Sequence, residues 1–243
     1  MTLKTRIIPI LLTDGKGNVV KPIKFQRPYR IVGNLMQHIR VLEKRNVDEL
    51  ILIDIEASNE GRLIDCDKIK EYTKELYCPV TLGGGIENIN DINKLLKSGA
   101  DKISIQNKSN SFAFVKLAAR TFGSQCITIS VDVKQGREQE AEEFCSYMYM
   151  CGAGEILLTS MDEEGTMEGY DIELLIRVAD RLNIPVIING GAGDPSHMEQ
   201  AIKNGASAVA ASSMFLFKDF TPRDCAKYLQ ERGLQGVYCK SNC

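Results

Sequence analysis

The chain repeats itself at one fixed distance. "DELILIDIEAS", which begins at Asp48, matches "AGEILLTSMDE" with Glu49 over Glu155. "PVTLGGGI" matches "PVIINGGA" with Pro79 over Pro185, and "KSGADKISI" matches "KNGASAVAA" with Gly99 over Gly205; each pair lies 106 residues apart. Three anchors at one offset indicate two related halves, each far longer than a solenoid unit. Within them, short apolar and β-branched runs alternate with amphipathic stretches: "RIIPILL", "ELILIDI", "PVTLGGG" and "KISIQN", then "CITISVDV", "EILLTS", "PVIINGG" and "SAVAAS". The runs suit buried parallel strands, while "INDINKLLKSG" and "PSHMEQAIKNG" carry helical spacing with a glycine stop. Eight βα units in two halves predict an α/β fold, a (β/α)8 TIM barrel with a two-fold half-barrel repeat, and 243 residues fit one such domain over 1–243. A doubly wound open sheet shares the alternation but gives no reason for the halves.

Composition narrows the function. Lys and Arg number 30 against 32 Asp and Glu, so there is no overall basic field to attract nucleic acid or an anionic membrane. No run approaches the roughly 18 apolar residues of a spanning helix, and "MTLKTR" lacks a signal-peptide pattern. A cytoplasmic protein handling a small molecule is expected. The eight cysteines, at 66, 78, 126, 145, 151, 225, 239 and 243, form no C-x-x-C pair, and only His38 and His197 are available beside them. Reduced thiols, no metal and no cofactor are therefore expected.

Each half places a glycine cluster after one strand and small polar residues after the next. Gly83, Gly84 and Gly85 go with Gln106 and Asn107; Gly190 and Gly191 go with Ser212 and Ser213. The repeat superposes Gly85 on Gly191 and Asn107 on Ser213. Glycine lets backbone N–H groups close on an anion, so the two clusters suggest cradles for a ligand with two phosphates. The plainer reading is that each cluster only turns the chain after a strand.

On "DELILIDIEAS", "VTLGGGI", "SGADKISI", "RTFGSQCITISVDVK", "GAGEILLTSMDEEGTMEGYD" and "INGGAG", the chain resembles, over essentially its whole length, the cyclase subunit of imidazole glycerol phosphate synthase, the HisF family. That resemblance implies ammonia from a HisH-like glutaminase at the N-terminal barrel face. The ammonia passes through the barrel to a phosphorylated substrate at the C-terminal face, where aspartates ending strands 1 and 5 act as acid and base. It implies Asp132 as the strand 5 carboxylate, Gly165 as a further phosphate-side glycine, and Lys21, Asp54, Thr159 and Asp162 on the substrate side. Two of these have plainer readings: Lys21 as an exposed loop lysine, and Asp54 as a structural acid at the rim.

The strand 1 acid is missing. Arg6, Ile8, Ile10 and Leu12 share one face of the first strand, and Leu12 stands where the family has its carboxylate. Leucine transfers no proton. Asp14 and Asp54 are candidate substitutes, Asp14 if the mobile loop expected after strand 1 folds inward. The family's "GDP" is represented only by Gly33 and Asn34, and the hairpin usual between strand 5 and its helix is absent, with "KQGREQEAEEFC" running almost directly into a helix.

The other end is retained. The family closes its N-terminal mouth with an Arg, a Lys and two Glu, and the matching positions are Arg6, Glu49, Lys102 and Glu155. Asp101 matches an acid facing the glutaminase. The plainer reading of the four charges is a plug in the barrel floor. The opening "RIIPILL" further resembles HisF paralogues of bacterial surface-sugar synthesis. That resemblance implies ammonia supply, with a separate sugar amidotransferase, for converting an acetamido group to acetamidino. The readings carried forward are this ammonia-conducting subunit, a cyclase (a lyase) of histidine biosynthesis, and a non-catalytic scaffold.

Overall fold

A computed structural model describes residues 5–45, 47–106 and 111–234. Strand β1 (Arg6–Thr13) is followed by a hairpin of β2 (Asn18–Ile23) and β3 (Gln26–Asn34), then by helix α1 (Leu35–Lys44). The remainder of the first half comprises β4 (Leu50–Asp54), α2 (Cys66–Thr73), β5 (Val80–Gly83), α3 (Ile89–Lys97), β6 (Lys102–Gln106) and α4 (Ser111–Phe122). The second half runs β7 (Ile127–Val133), α5 (Glu138–Met150), β8 (Glu155–Ser160), α6 (Ile172–Ala179), β9 (Val186–Asn189), α7 (Pro195–Lys203), β10 (Ala208–Ala211), α8 (Ser213–Phe217) and α9 (Pro222–Glu231). Strands β1, β4, β5, β6, β7, β8, β9 and β10 pair in parallel in that order, and β10 pairs back onto β1. The fold is a closed (β/α)8 TIM barrel.

The repeat is visible in the elements themselves. Helices α2 and α6, strands β5 and β9, and helices α3 and α7 coincide at both ends under the 106-residue shift. Their caps coincide too: Asp65 and Asp171 open α2 and α6, and Asn88 and Asp194 open α3 and α7, each accepting a backbone N–H from the first turn.

Side-chain alternation makes two cores. Ile7, Leu11, Leu50, Leu52, Ile127, Ile129 and Val131 belong to the large core under the helices, while Ile8, Ile10, Leu12, Ile51, Leu157, Ile187, Ala208 and Ala210 pack inside the barrel.

The segment after β1 corrects the expectation of a mobile loop. It is an antiparallel hairpin with Ile23 opposite Gln26 and with Val19 and Val20 buried. Its two-residue turn places Lys24 and Phe25 at φ 49° and 56°, the left-handed pair that Asn-Gly usually supplies. Lys-Phe gives no such signal, which is why the turn was illegible in the sequence. The connection from β7 to α5 is short, as read, with Glu138 and Glu140 in the first turn of α5.

Among the described residues, Cys66, Cys126, Cys145, Cys151 and Cys225 are free thiols, no cluster of His, Cys, Asp or Glu is arranged to hold a metal, and no helix is long and apolar enough to cross a membrane.

Candidate functional site at the two barrel mouths

A cavity of about 350 Å³ occupies the C-terminal mouth. Asp132, near the end of β7, lines it and receives Gln106 Nε2 at 3.4 Å. Burial pushes its carboxyl up to about 6, and the charge of Glu164 acts in the same direction against the hydrogen bonds from Gln106 and Thr159. Thr159 also lines the cavity and receives Asn189 Nδ2 at 3.2 Å.

Strand register identifies the counterpart of Asp132. Asp132 pairs with Thr159 and Leu12 pairs with Ile53, and Ile53 and Thr159 are partners in the 106-residue repeat. Leu12 therefore stands in the first half where Asp132 stands in the second. It lines the cavity and packs with the inner apolar cluster.

Two expected site residues lie away from the cavity, and a third borders it with its carboxylate engaged by its own loop. Asp14 does not reach the cavity: Oδ1 accepts Lys16 N at 2.9 Å and Asn18 N at 3.2 Å, and Oδ2 accepts Asn18 Nδ2 at 2.8 Å, so the carboxylate organises its own turn. Asp162 lies in a separate cleft between the β7–α5 and β8–α6 connections, where it accepts Gln135 N at 2.7 Å. Asp54 borders the cavity, but its carboxylate is engaged by Glu56 N and Ala57 N, both at 3.1 Å, and by the Arg62 guanidinium at 2.6 Å. It holds the β4–α2 loop.

Lys21 is not an exposed loop lysine. Only 4% exposed, it is ion-paired with Glu164, which is equally buried, and both line the cavity. Lys24 N adds a bond to Glu164 O at 2.9 Å, so the hairpin is fastened to the β8–α6 loop. Glu164 was missed by the sequence reading. It sits in "MDEEGT" among other acids, and nothing in its spacing distinguishes it from a solvated neighbour.

The glycine clusters lie at the same mouth. Gly84 and Gly85 have φ of 128° and 68°, Gly190 and Gly191 of 92° and 97°. A Cβ on Gly85 would fall 1.7 Å from Arg62 O, and one on Gly191 1.8 Å from Gly169 O. Folding alone thus requires glycine at both twin positions. Gly165 has φ 83° and lies against Pro22 and Ile23 of the hairpin. Ser212 and Ser213 are buried, and Ser212 Oγ has no hydrogen-bond partner among the described residues. Asn107 lies outside the described residues.

At the opposite mouth the four charges form a closed ring. Arg6 Nη1 bonds Glu49 at 2.7 Å and Arg6 Nη2 bonds Glu155; Lys102 Nζ bonds Glu49 at 2.9 Å and Glu155 at 3.1 Å. Thr81 Oγ1 donates to Glu49 at 3.2 Å. Burial alone would raise the Glu49 carboxyl, yet Arg6 and Lys102 outweigh it and hold it below its ordinary range. Two acids bridged by two bases keep every charge compensated. Asp101, exposed beside the ring, accepts Val80 N at 2.8 Å.

Comparison with known proteins agrees with this architecture. A family described as histidine biosynthesis protein matches residues 6–221. A Campylobacter jejuni protein provisionally named imidazole glycerol phosphate synthase subunit hisF2 is 42% identical, over 95% of this chain and 97% of that one. Proteins named imidazole glycerol phosphate synthase subunit HisF from Dictyoglomus thermophilum and Thermococcus onnurineus are 41% and 39% identical, each over 96% of this chain and 98% and 97% of theirs.

Proposed function

The chain belongs to the HisF family, and on that premise we propose that it is the ammonia-conducting barrel subunit of a cytoplasmic, glutamine-dependent complex. A HisH-like glutaminase docks on the face that bears Arg6, Glu49, Lys102, Glu155 and Asp101. Ammonia passes the charged ring, crosses the barrel and leaves at the mouth bearing Asp132. There, together with a separate sugar amidotransferase, it serves the conversion of an acetamido to an acetamidino group on a bacterial surface sugar, ammonia supplying the new nitrogen and the amide oxygen leaving as water. The carrying observation is the closed ring at one end of a barrel whose other end sets Leu12 in the place equivalent to Asp132. A conduit needs the ring; an acid–base pair needs two proton-transferring groups, and leucine supplies none.

The test is co-purification with a class I glutaminase and assay of glutamine hydrolysis. Stimulation of hydrolysis on binding supports the reading. Failure to bind, or binding without effect on hydrolysis, overturns it.

A second reading is favoured by the raised carboxyl of Asp132 beside the twin glycine turns: a cyclase that joins ammonia to a substrate carrying two phosphates, held by Gly84, Gly85, Gly190, Gly191, Ser212 and Ser213. Complementation of a histidine auxotroph lacking its own cyclase decides it. Growth that persists with Asp132→Asn counts against the role given to that residue.

A further inference from the structure

The interior of the barrel differs on its two sides. Register makes Ile8, Ile10 and Leu12 of β1 the counterparts of Thr128, Ser130 and Asp132 of β7. The first three pack in the inner cluster with Ile51, Leu157, Ile187 and Ala210, so β1, β4, β8, β9 and β10 contribute to an apolar wall. Facing it, β5, β6 and β7 present Thr81, Ser104, Thr128 and Ser130, all buried, while their sequence neighbours Leu82, Ile103, Ile127 and Ile129 point into the outer core.

These hydroxyls follow one another from the charged ring to the mouth. Thr81 is bonded to Glu49 of the ring. Ser104 and Ser130 line the mouth cavity. Thr128 lies between, pairing in register with Ser104 on one side and Glu155 on the other. It has no solvent exposure, and Thr128 Oγ1 has no hydrogen-bond partner among the described residues. A buried unpartnered hydroxyl costs free energy that a valine of the same shape would not. Here it faces the line joining ring and cavity.

We propose that Thr128, with Ser104 and Ser130, forms a hydrogen-bonding station inside the barrel for one small neutral molecule, ammonia or water, between the charged ring and the mouth cavity. Neutrality follows from the surroundings. The hydroxyls both donate and accept, but the facing isoleucines offer an ion nothing, and the Glu155 carboxylate is already bonded to Arg6 and Lys102. The station is a property of this chain alone. Its place on an ammonia route rests on the conduit reading.

The test uses the full chain carrying 13C-labelled threonine methyls, titrated with ammonium chloride and separately with sodium chloride, in buffer alkaline enough to hold much of the ammonium as ammonia. A saturable shift of the Thr128 methyl resonance with ammonium chloride alone is expected and assigns the station to ammonia. A nuclear Overhauser contact from that methyl to a bound water, without an ammonium-specific shift, keeps the station and assigns it to water. Neither signal, or equal shifts with both salts, overturns it. The isosteric Thr128→Val variant provides a second measurement: an unchanged or lowered urea midpoint is expected, and a raised midpoint overturns the proposal, because it marks a hydroxyl that had no partner to lose. If the barrel stimulates no glutaminase, the conduit reading falls whatever Thr128 reports. If stimulation occurs and Thr128 reports no guest, only the station falls.

Discussion

Leu12 and Asp132 occupy equivalent places in the two halves of the barrel, one pairing with Ile53 and the other with Thr159 across the same repeat. Restoring symmetry by Leu12→Asp sets a second carboxylate at the mouth of a cavity where burial already raises the first. Like charges sharing one site cannot both ionise cheaply. The Asp132 carboxyl is expected to titrate above about 6 in this variant, read by NMR of its side-chain carbon. Loss of Leu12 from the inner cluster is expected to lower stability by about 2 to 4 kcal/mol, read by urea unfolding.

Asp132→Asn has the opposite sign. The folded chain holds the Asp132 proton up to about pH 6, against an ordinary value of 3.8, so it binds that proton more tightly than the unfolded chain does. The resulting stability is fully present below about pH 4 and is lost as pH rises through about 6. Asparagine carries no such loss. Urea unfolding at a series of pH values is expected to give equal stabilities near pH 4 and a variant more stable by about 1 to 3 kcal/mol near pH 7. Any reaction step that needs the carboxylate is expected to disappear in the same variant.

The barrel was legible because its determinants are periodic. The 106-residue repeat and the strand alternation are properties of spacing, so the sequence alone reveals them. The site was legible only in part. Arg6, Glu49, Lys102 and Glu155 could be placed together through the family resemblance, each at or just before the start of a strand, and Asp132 in the same way near the end of one. Asp14 and Asp162 could not be excluded in advance, because which backbone N–H a loop carboxylate accepts depends on turn geometry that composition does not encode. The Lys21–Glu164 contact spans 143 positions and depends on a hairpin whose Lys-Phe turn carries no usual signal.

Glu49→Gln tests the charged ring as a unit. Arg6 and Lys102 hold the Glu49 carboxyl below its ordinary range against the opposing effect of burial. The stability this contributes is present above the unfolded value near 4.5 and is lost as pH falls through the lower, folded value. Glutamine leaves Arg6 and Lys102 with Glu155 as their remaining ring carboxylate. A loss of about 2 kcal/mol near neutral pH is expected, shrinking as the wild-type carboxyl is itself protonated in acid, both read from urea midpoints. Uncoupled glutamine hydrolysis in a complex with the partner is the functional readout under the conduit reading.

One buried ion pair fastens the hairpin to the β8–α6 loop. Lys21 and Glu164 are each 4% exposed, and Lys24 N to Glu164 O at 2.9 Å adds backbone support between their segments. Lys21→Met removes one charge and leaves Glu164 buried without its cation, a change that costs about 3 to 5 kcal/mol for a buried pair. Part of that cost is avoided if the hairpin lifts and lets water reach Glu164. Amide hydrogen exchange of Val19, Val20 and Lys24 is therefore expected to accelerate in Lys21→Met more than exchange in β9, which lies elsewhere in the barrel. The double variant Lys21→Met with Glu164→Leu removes both charges from the same buried place. It is expected to recover most of the lost stability and to restore slow exchange in the hairpin, because the penalty of the single change is the unpaired charge rather than the missing contact. Continued fast exchange in the double variant would show instead that the ion pair itself closes the hairpin over the cavity.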